Sequence, residues 1–269
     1  MTDPLIQLLC LDIDGTLLNS RHRLPPENRA AVREAERRGV TVCLMSARPP
    51  GAVVPIVQEL GITGPMACYN GGLILQQDIC LADQRIANEI GLRVQQETQR
   101  CGVHLSVYRD WDWLIEKADR WSAQESAITG LVPTEVPLRE TLHAGESGAH
   151  KYLCMGEPEK INTIAAVLDA LHLPVQLVRS KDTYLEILPL HADKAFAMTT
   201  LCRTFGITAE QTMSIGDHDN DCGMLRAAAY GVAMGNASKK AKQAAAWQTR
   251  SNDEAGVAYA IHRWILNRE

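Results

Sequence analysis

The sequence has few aromatic residues and no long apolar run. Phe, Trp and Tyr make up 5% of its 269 residues, and no stretch approaches the ~18 apolar residues of a membrane span. The start lacks a basic segment followed by an apolar one, so we expect no signal peptide. Lys and Arg are scattered and the net charge is −5, which argues against a basic nucleic-acid-binding face. We therefore expect a cytoplasmic protein that binds neither membranes nor nucleic-acid polymers.

The cysteines show no C-x-x-C pair, although there are eight of them. Without a secretion signal, a disulfide framework is not expected in a chain of this length, and most cysteines should be small buried hydrophobic residues. The apolar fraction of 46% is enough for a sizeable core in one large domain or two modest ones. The sequence does not predict an oligomeric state.

Strands and helices alternate near both ends of the sequence. Apolar runs at 5–11, 40–45 and 66–69 predict strands, with helices between them that are bounded by Pro and Gly. The same rhythm returns after His191. This order predicts parallel strands with right-handed crossovers, and therefore an α/β fold with a Rossmann-like sheet.

The middle of the sequence has a mixed order of helices and hairpin-like strands. It predicts an inserted α+β domain at 83–189, with 1–82 and 190–269 together forming the α/β core. Residues 139–148 have the weak pattern of a loop.

Two carboxylates, Asp12 and Asp14, follow the first predicted strand. Ligands of an open parallel sheet bind beyond the carboxyl ends of its strands, and Gly15 permits a sharp turn there. One carboxylate could attack phosphorus while the other transfers protons. The alternative is an ordinary turn in which Asp and Gly satisfy the backbone.

Oxygen-bearing side chains also follow a later predicted strand, at 217–221. Such groups suit Mg²⁺, although an acidic loop with a helix N-cap would have the same composition. The presence of Asp12 and Asp14 favours the metal site. Ser46 ends another strand and could bind phosphate oxygens, or merely cap a turn. Lys194 opens a helix and could neutralise the carboxylates, or simply lie at the surface.

Together these segments resemble the haloacid-dehalogenase superfamily, and more narrowly its Cof-type capped phosphatases. The resemblance extends over nearly the whole chain and implies a Rossmann-like core with an inserted α+β cap domain of the C2 type. The four superfamily motifs occur in order as Asp12-Ile-Asp14-Gly-Thr, Ser46-Ala-Arg48, Lys194 and Gly216-Asp217-x-x-Asn220-Asp221. Segments 69–72, 232–237 and 251–257 are typical of the subfamily.

The resemblance implies a role for each matching residue. Asp12 would be the nucleophile that forms an aspartyl-phosphate, and Asp14 the general acid and base. Mg²⁺ would be held by Asp12, the backbone carbonyl of Asp14, and Asp217, with Asp221 orienting the ligands from behind. Phosphate contacts are implied at Ile13, Ser46, Ala47, Arg48, Lys194 and Asn220.

The chain departs from the family pattern at Ala47, where Gly is usual, and at Asp193 and Ala195, where Ser and Gly usually flank the lysine. Ala47 lacks the backbone freedom of glycine, and Asp193 adds negative charge near the expected phosphate site. None of the three changes removes a catalytic group.

The expected function is Mg²⁺-dependent hydrolysis of a small soluble phosphorylated metabolite, such as a sugar phosphate, a nucleotide or pyridoxal phosphate. A phosphomutase of the same superfamily and a non-catalytic sensor of phosphorylated metabolites are the alternatives. The presence of both Asp12 and Asp14 favours an enzyme over a sensor. The large cap implied by the resemblance favours hydrolysis over phosphoryl return.

Overall fold

Strands occur along the whole length that the computed structural model describes, which is residues 6–144 and 147–267. The strands are β1 (Leu8–Asp12), β2 (Thr41–Met45), β3 (Met66–Cys68), β4 (Leu73–Gln76), β5 (Ile79–Asp83), β6 (His104–Arg109), β7 (Asp112–Ile115), β8 (Thr134–Glu135), β9 (Lys151–Met155), β10 (Val175–Lys181), β11 (Tyr184–Pro189), β12 (Thr212–Gly216), β13 (Tyr230–Ala233) and β14 (Trp247–Gln248).

Helices separate many of these strands, and within the described ranges none of them is long and apolar enough to cross a membrane. The helices are α1 (Pro26–Arg37), α2 (Pro50–Leu60), α3 (Asn88–Cys101), α4 (Arg120–Thr129), α5 (Leu138–Ala144), α6 (Pro158–Ala170), α7 (Lys194–Phe205), α8 (Cys222–Ala227), α9 (Lys239–Ala244) and α10 (Gly256–Ile261). Short helical turns lie at Ile13–Leu17, Tyr69–Gly71, Ala209–Gln211, Asp219–Asp221, Asn252–Glu254 and His262–Leu266.

The first of two compact units contains an eight-stranded sheet. This unit comprises the residues up to Ala47, Val53–Ala82 and the residues from Asp193 onward. Its strand order is β14-β13-β12-β1-β2-β3-β4-β5, and the pairs from β14 to β3 are parallel, whereas β3 and β4 are antiparallel. The predicted α/β class with a Rossmann-like parallel sheet is confirmed.

Buried side chains and strand register place the useful polar residues of this unit at one sheet edge. All five residues of β1 are buried, as expected of a central parallel strand covered on both faces. Asp12 pairs with Met45 of β2, and Leu11 pairs with Ile215 of β12. The chain therefore leaves these three neighbouring strands at the same carboxyl edge, where ligands of such sheets bind.

The second compact unit comprises Arg48–Ala52 and Asp83–Ala192 and is of the α+β type. Its six strands have the order β10-β11-β9-β6-β7-β8, and all the pairs are antiparallel except β7 with β8. Alternate strand residues such as Val107, Tyr152 and Ile187 are buried in one apolar cluster with residues of helices α3 and α6. That alternation is the pattern of a sheet with one face against helices.

The prediction of a loop at 139–148 is wrong for its first part, because α5 extends from Leu138 to Ala144. Leu138 and Leu142 lie four residues apart and are both buried in the core of the second unit, as on one face of a helix. The backbone N–H of Leu138 donates to Glu116 Oε2 at 3.0 Å. This donor is therefore satisfied by a residue 22 positions away, a contact that the local sequence does not predict. Residues 145 and 146 lie outside the described residues.

Candidate active site

The turn after β1 brings two acidic segments together. Asp12 ends the strand in an extended conformation (φ −67°, ψ 156°), and the chain then turns through Ile13–Leu17. Gly15 has a φ of +79°, and a Cβ atom built on it would lie 2.9 Å from the carboxylate carbon of Asp217. Both the backbone angle and the close approach exclude a side chain here. Gly15 therefore allows the Asp217 loop to pack against the turn.

Lys194 is the first residue of α7, and its side chain is only 1% exposed. Its Nζ donates to Asp12 Oδ1 and, at 2.5 Å, to Asp221 Oδ1. Asp193, which departs from the family pattern, accepts a hydrogen bond from the N–H of Phe196 at 2.6 Å and caps the helix. The aspartate thus replaces the usual serine in a role that either residue can fill.

Three carboxylates surround this ammonium group. Asp12, Asp217 and Asp221 each offer an oxygen within 4.8 Å of the others. Burial raises the pKa of Asp12 well above its ordinary value, although Lys194 acts in the opposite direction. Burial likewise raises the pKa of Asp217. For Lys194, burial acts to lower the pKa, but the neighbouring carboxylates outweigh it and raise the pKa. The cluster has one ammonium group for three carboxyl groups, and a divalent cation would supply the further positive charge that favours their ionised forms.

Asp221 is fully buried, and hydrogen-bond donors occupy both of its carboxylate oxygens. Oδ1 accepts from Lys194, while Oδ2 accepts from the backbone N–H groups of Asp217 and His218, both at 2.9 Å. This arrangement suits a residue that orients its neighbours. Thr16, which the sequence reasoning missed, donates its hydroxyl to Asp217 Oδ1 at 2.7 Å. The available signal was its place directly after Gly15 in the first motif.

Ser46 follows β2 and is 2% exposed. Its N–H donates to the carbonyl of Ala67, and its carbonyl accepts from the N–H of Asn70, both at 2.8 Å. The φ angle of Ala47 is not positive, so its backbone conformation does not require glycine. Arg48 begins the short segment grouped with the second unit, and its phosphate contact stays a prediction.

Asn220 and Asp14 lie in the turns that follow β12 and β1. Asn220 Nδ2 donates to Asn70 Oδ1 at 2.9 Å, so the fourth motif contacts a residue for which the sequence predicted no role. The Asp14 side chain is 44% exposed, and its Oδ1 lies 3.7 Å from Nδ1 of His22. Ile13, between the two aspartates, is fully buried. Because its side chain is apolar, only its backbone groups could contact phosphate.

Two asparagines hold the turn after β1 in place. Asn236 Nδ2 donates to the carbonyl of Gly15 at 2.8 Å, and its Oδ1 accepts from the N–H of Asn252 at 3.0 Å. Asn252 Nδ2 in turn donates to the carbonyl of Leu18 at 3.0 Å. These residues belong to segments 232–237 and 251–257, which the sequence marked only as typical of the subfamily. They satisfy carbonyls in the turn that carries Asp14.

Comparison with known proteins gives consistent matches along the chain. The family described as haloacid dehalogenase-like hydrolase matches residues 9–261. Phosphatase YwpJ of Bacillus subtilis is 30% identical, over 95% of this chain and 99% of that protein. The 5-amino-6-(5-phospho-D-ribitylamino)uracil phosphatase YcsE of the same organism is 28% identical, over 97% and 96%. A crystal structure of a haloacid dehalogenase-like hydrolase from Bacteroides thetaiotaomicron has a TM-score of 0.89 and 29% identity, covering 96% of this chain and 99% of that one.

Proposed function

Because the chain belongs to the haloacid dehalogenase-like hydrolase family and is a phosphoric monoester hydrolase, we propose that it is a Mg²⁺-dependent phosphatase of a small soluble metabolite that uses Asp12 as its nucleophile. The observation that carries the proposal is the buried contact of Lys194 with Asp12 and Asp221, beside Asp217. Positive charge next to Asp12 opposes the effect of burial, which raises the pKa of this carboxyl group. The charge matters because only the ionised form attacks phosphorus.

The chemistry divides into two displacements at phosphorus. In the first, an oxygen of Asp12 forms a bond to phosphorus while the bond between phosphorus and the ester oxygen breaks. The ester oxygen of the leaving group takes a proton from Asp14. In the second, Asp14 accepts a proton from water, and the water oxygen bonds to phosphorus while the bond between phosphorus and the Asp12 oxygen breaks. Inorganic phosphate leaves, and the Asp12 carboxylate is restored. The partial exposure of Asp14 supports this role, because a general acid and base must reach both the leaving group and water.

The donor set supports a hard divalent cation. Asp12, Asp217 and the backbone carbonyl of Asp14 would hold Mg²⁺, while Asp221, with both oxygens occupied by donors, would orient Asp217 and Lys194. When bound, the ion would reduce the repulsion between the anionic nucleophile and the anionic substrate. Phosphoryl transfer depends mainly on such positioning and charge neutralisation.

Phosphate binding is assigned to donors at the same sheet edge. Lys194 and Asn220 would donate to phosphoryl oxygens, together with the hydroxyl of Ser46 and the backbone N–H groups of Ile13 and Ala47. Ser46 and Asn220 both hydrogen-bond to Asn70. Their shared neighbour supports the proposal that both contact the same phosphoryl group. Arg48 completes the predicted set.

The substrate is a small phosphorylated metabolite found in the cytoplasm. Sugar phosphates, nucleotides and pyridoxal phosphate form the proposed class. Two relatives, YcsE and YwtE of Bacillus subtilis, are named as 5-amino-6-(5-phospho-D-ribitylamino)uracil phosphatases, so that ribityl phosphate belongs with the sugar phosphates in a substrate panel. Ranking the panel by kcat/KM identifies the substrate.

The experiment measures release of inorganic phosphate from p-nitrophenyl phosphate with and without Mg²⁺. We expect turnover that requires the metal and that is lost in Asp12→Asn. Asp219→Asn is the matched control, because Asp219 lies in the same acidic loop as Asp217 but its side chain is 42% exposed and paired with Lys240; it should retain activity. Metal-dependent turnover in Asp12→Asn at the wild-type rate would refute the assignment of the nucleophile. With a sugar phosphate as the substrate, formation of a positional isomer without release of inorganic phosphate would indicate a mutase.

A further inference from the structure

Two consecutive residues at the end of β3 have left-handed backbone conformations. Tyr69 has a φ of 53° and Asn70 a φ of 57° with ψ 27°. Asparagine tolerates this region, but it is uncommon for a bulky residue such as tyrosine. Both side chains are buried, at 0% and 7% exposed. Strained backbone of this kind persists where surrounding contacts hold it, and it clusters at functional sites.

Residues of this turn contact, or lie next to, residues of the second, third and fourth motifs. The N–H of Asn70 donates to the carbonyl of Ser46 at 2.8 Å, and Asn70 Oδ1 accepts from Asn220 Nδ2 at 2.9 Å. Gly71 follows with a φ of +97°, and a Cβ there would lie 3.2 Å from the carbonyl carbon of Asp193 and 3.0 Å from Cβ of Ala197. The turn therefore touches Ser46, Asn220 and the start of the helix that carries the active-site lysine.

We propose that Asn70 is a positioning residue, which fixes the carboxamide of Asn220 for contact with the phosphoryl group. The inference rests on the proposed function, which makes Asn220 a phosphate donor. One N–H of the Asn220 carboxamide donates to Asn70 Oδ1. This hydrogen bond fixes the plane of the carboxamide and therefore the direction of its second N–H. Without this acceptor, the Asn220 amide is free to rotate. Misplacement of a contact to the reacting group lowers the rate sharply.

Asn70→Gly separates this role from stability. Glycine adopts a positive φ without strain, which offsets part of the cost of losing the buried Asn70 side chain and its hydrogen bond. The variant should therefore remain folded, with a modest decrease in its unfolding temperature. It lacks the acceptor for Asn220, so kcat for p-nitrophenyl phosphate should fall about tenfold to a hundredfold, with a smaller change in KM. Gln77→Gly is the matched control, since Gln77 also has a left-handed φ of 53° but lies in the exposed turn between β4 and β5. It should gain stability and keep wild-type kcat.

A double-mutant cycle tests whether Asn70 acts through Asn220. In an Asn220→Ala background, Asn70→Gly should have no further effect on kcat, because the group that it positions is gone. A purely structural role predicts instead that the two losses multiply. Either multiplying losses or wild-type kcat in Asn70→Gly overturns the inference.

A readout independent of turnover distinguishes failure of the inference from failure of the proposed function. In ¹H–¹⁵N spectra, the side-chain NH₂ pair of Asn220, identified by its loss in Asn220→Ala, should shift in Asn70→Gly and stay unchanged in Gln77→Gly. If the wild type hydrolyses no phosphomonoester with Mg²⁺, the proposed function fails while this shift still decides the hydrogen bond. An unchanged NH₂ pair in Asn70→Gly overturns the inference even in an active enzyme.

Discussion

Replacing Lys194 by methionine should cost the protein much of its stability as well as its activity. The methionine keeps most of the aliphatic stem but removes the ammonium group that contacts Asp12 and Asp221. Two carboxylates would then remain buried without their cation. Breaking one side of a buried charged pair costs about 3–5 kcal/mol, which is a large share of the ~5–15 kcal/mol that stabilises a typical protein.

The assay is urea unfolding of the wild type and Lys194→Met in metal-free buffer. The slope is about 1–3 kcal/mol per molar urea for small proteins and increases with size. With a slope of about 3 kcal/mol per molar, the predicted loss lowers the midpoint by about 1 M or slightly more. Lys240→Met is the control, because Lys240 also contacts a carboxylate, Asp219 at 2.8 Å, but is 75% exposed. Exposed pairs contribute little, so its midpoint should not move measurably.

A second variant identifies the source of the loss. If the cost comes from uncompensated buried charge, then Asp221→Asn added to Lys194→Met should recover part of the midpoint, because it removes one buried carboxylate. Mg²⁺ should also raise the midpoint of Lys194→Met, since ligand binding to the folded state stabilises it. A Lys194→Met midpoint equal to that of Lys240→Met would refute the electrostatic reasoning. So would further destabilisation of Lys194→Met by Asp221→Asn.

Three other substitutions test separate parts of the structure. Gly15→Ala should lower both stability and kcat, because Gly15 has a φ of +79° and its Cβ would meet the Asp217 carboxylate; thermal unfolding and phosphate release measure the two effects, and a silent substitution would contradict the close approach. Asn236→Ala should lower kcat about tenfold with little loss of stability, because it frees the carbonyl of Gly15 at an exposed hydrogen bond; an unchanged kcat would contradict this role. Burial lowers the pKa of His150 below the ordinary 6.5, so below pH 6.5 the unfolded state binds more protons than the folded state. The folded protein should therefore lose stability as the pH falls from about 6.5 through the folded-state pKa of His150. His150→Gln, which can keep a hydrogen bond to Asp83, should show a shallower fall in urea midpoint between pH 7.5 and 5.5 than the wild type, and parallel curves would contradict the shift.

Much of the fold is encoded in local patterns. The helix predicted to open at Lys194 begins at that residue and extends to Phe205. The hairpin-like strands predicted in the middle of the chain include the antiparallel pair β6 and β7. These elements follow from apolar periodicity and from capping or turn residues, which act over a few positions. The helix at Leu138–Ala144 was missed because a N–H in its first turn is satisfied by Glu116, 22 residues earlier.

The candidate site shows the same division. The sequence alone indicated that Asp12, Ser46 and Asp217 follow parallel strands, because alternation of strands and helices places strand ends at one sheet edge. Only the tertiary structure decided how these residues meet. It buried Lys194 between Asp12 and Asp221, brought Thr16 to Asp217 across 201 residues of sequence, and set Asn70 in a left-handed turn against Asn220. Local propensity sets the conformation of a few neighbouring residues, whereas contacts between distant segments depend on packing of the whole unit.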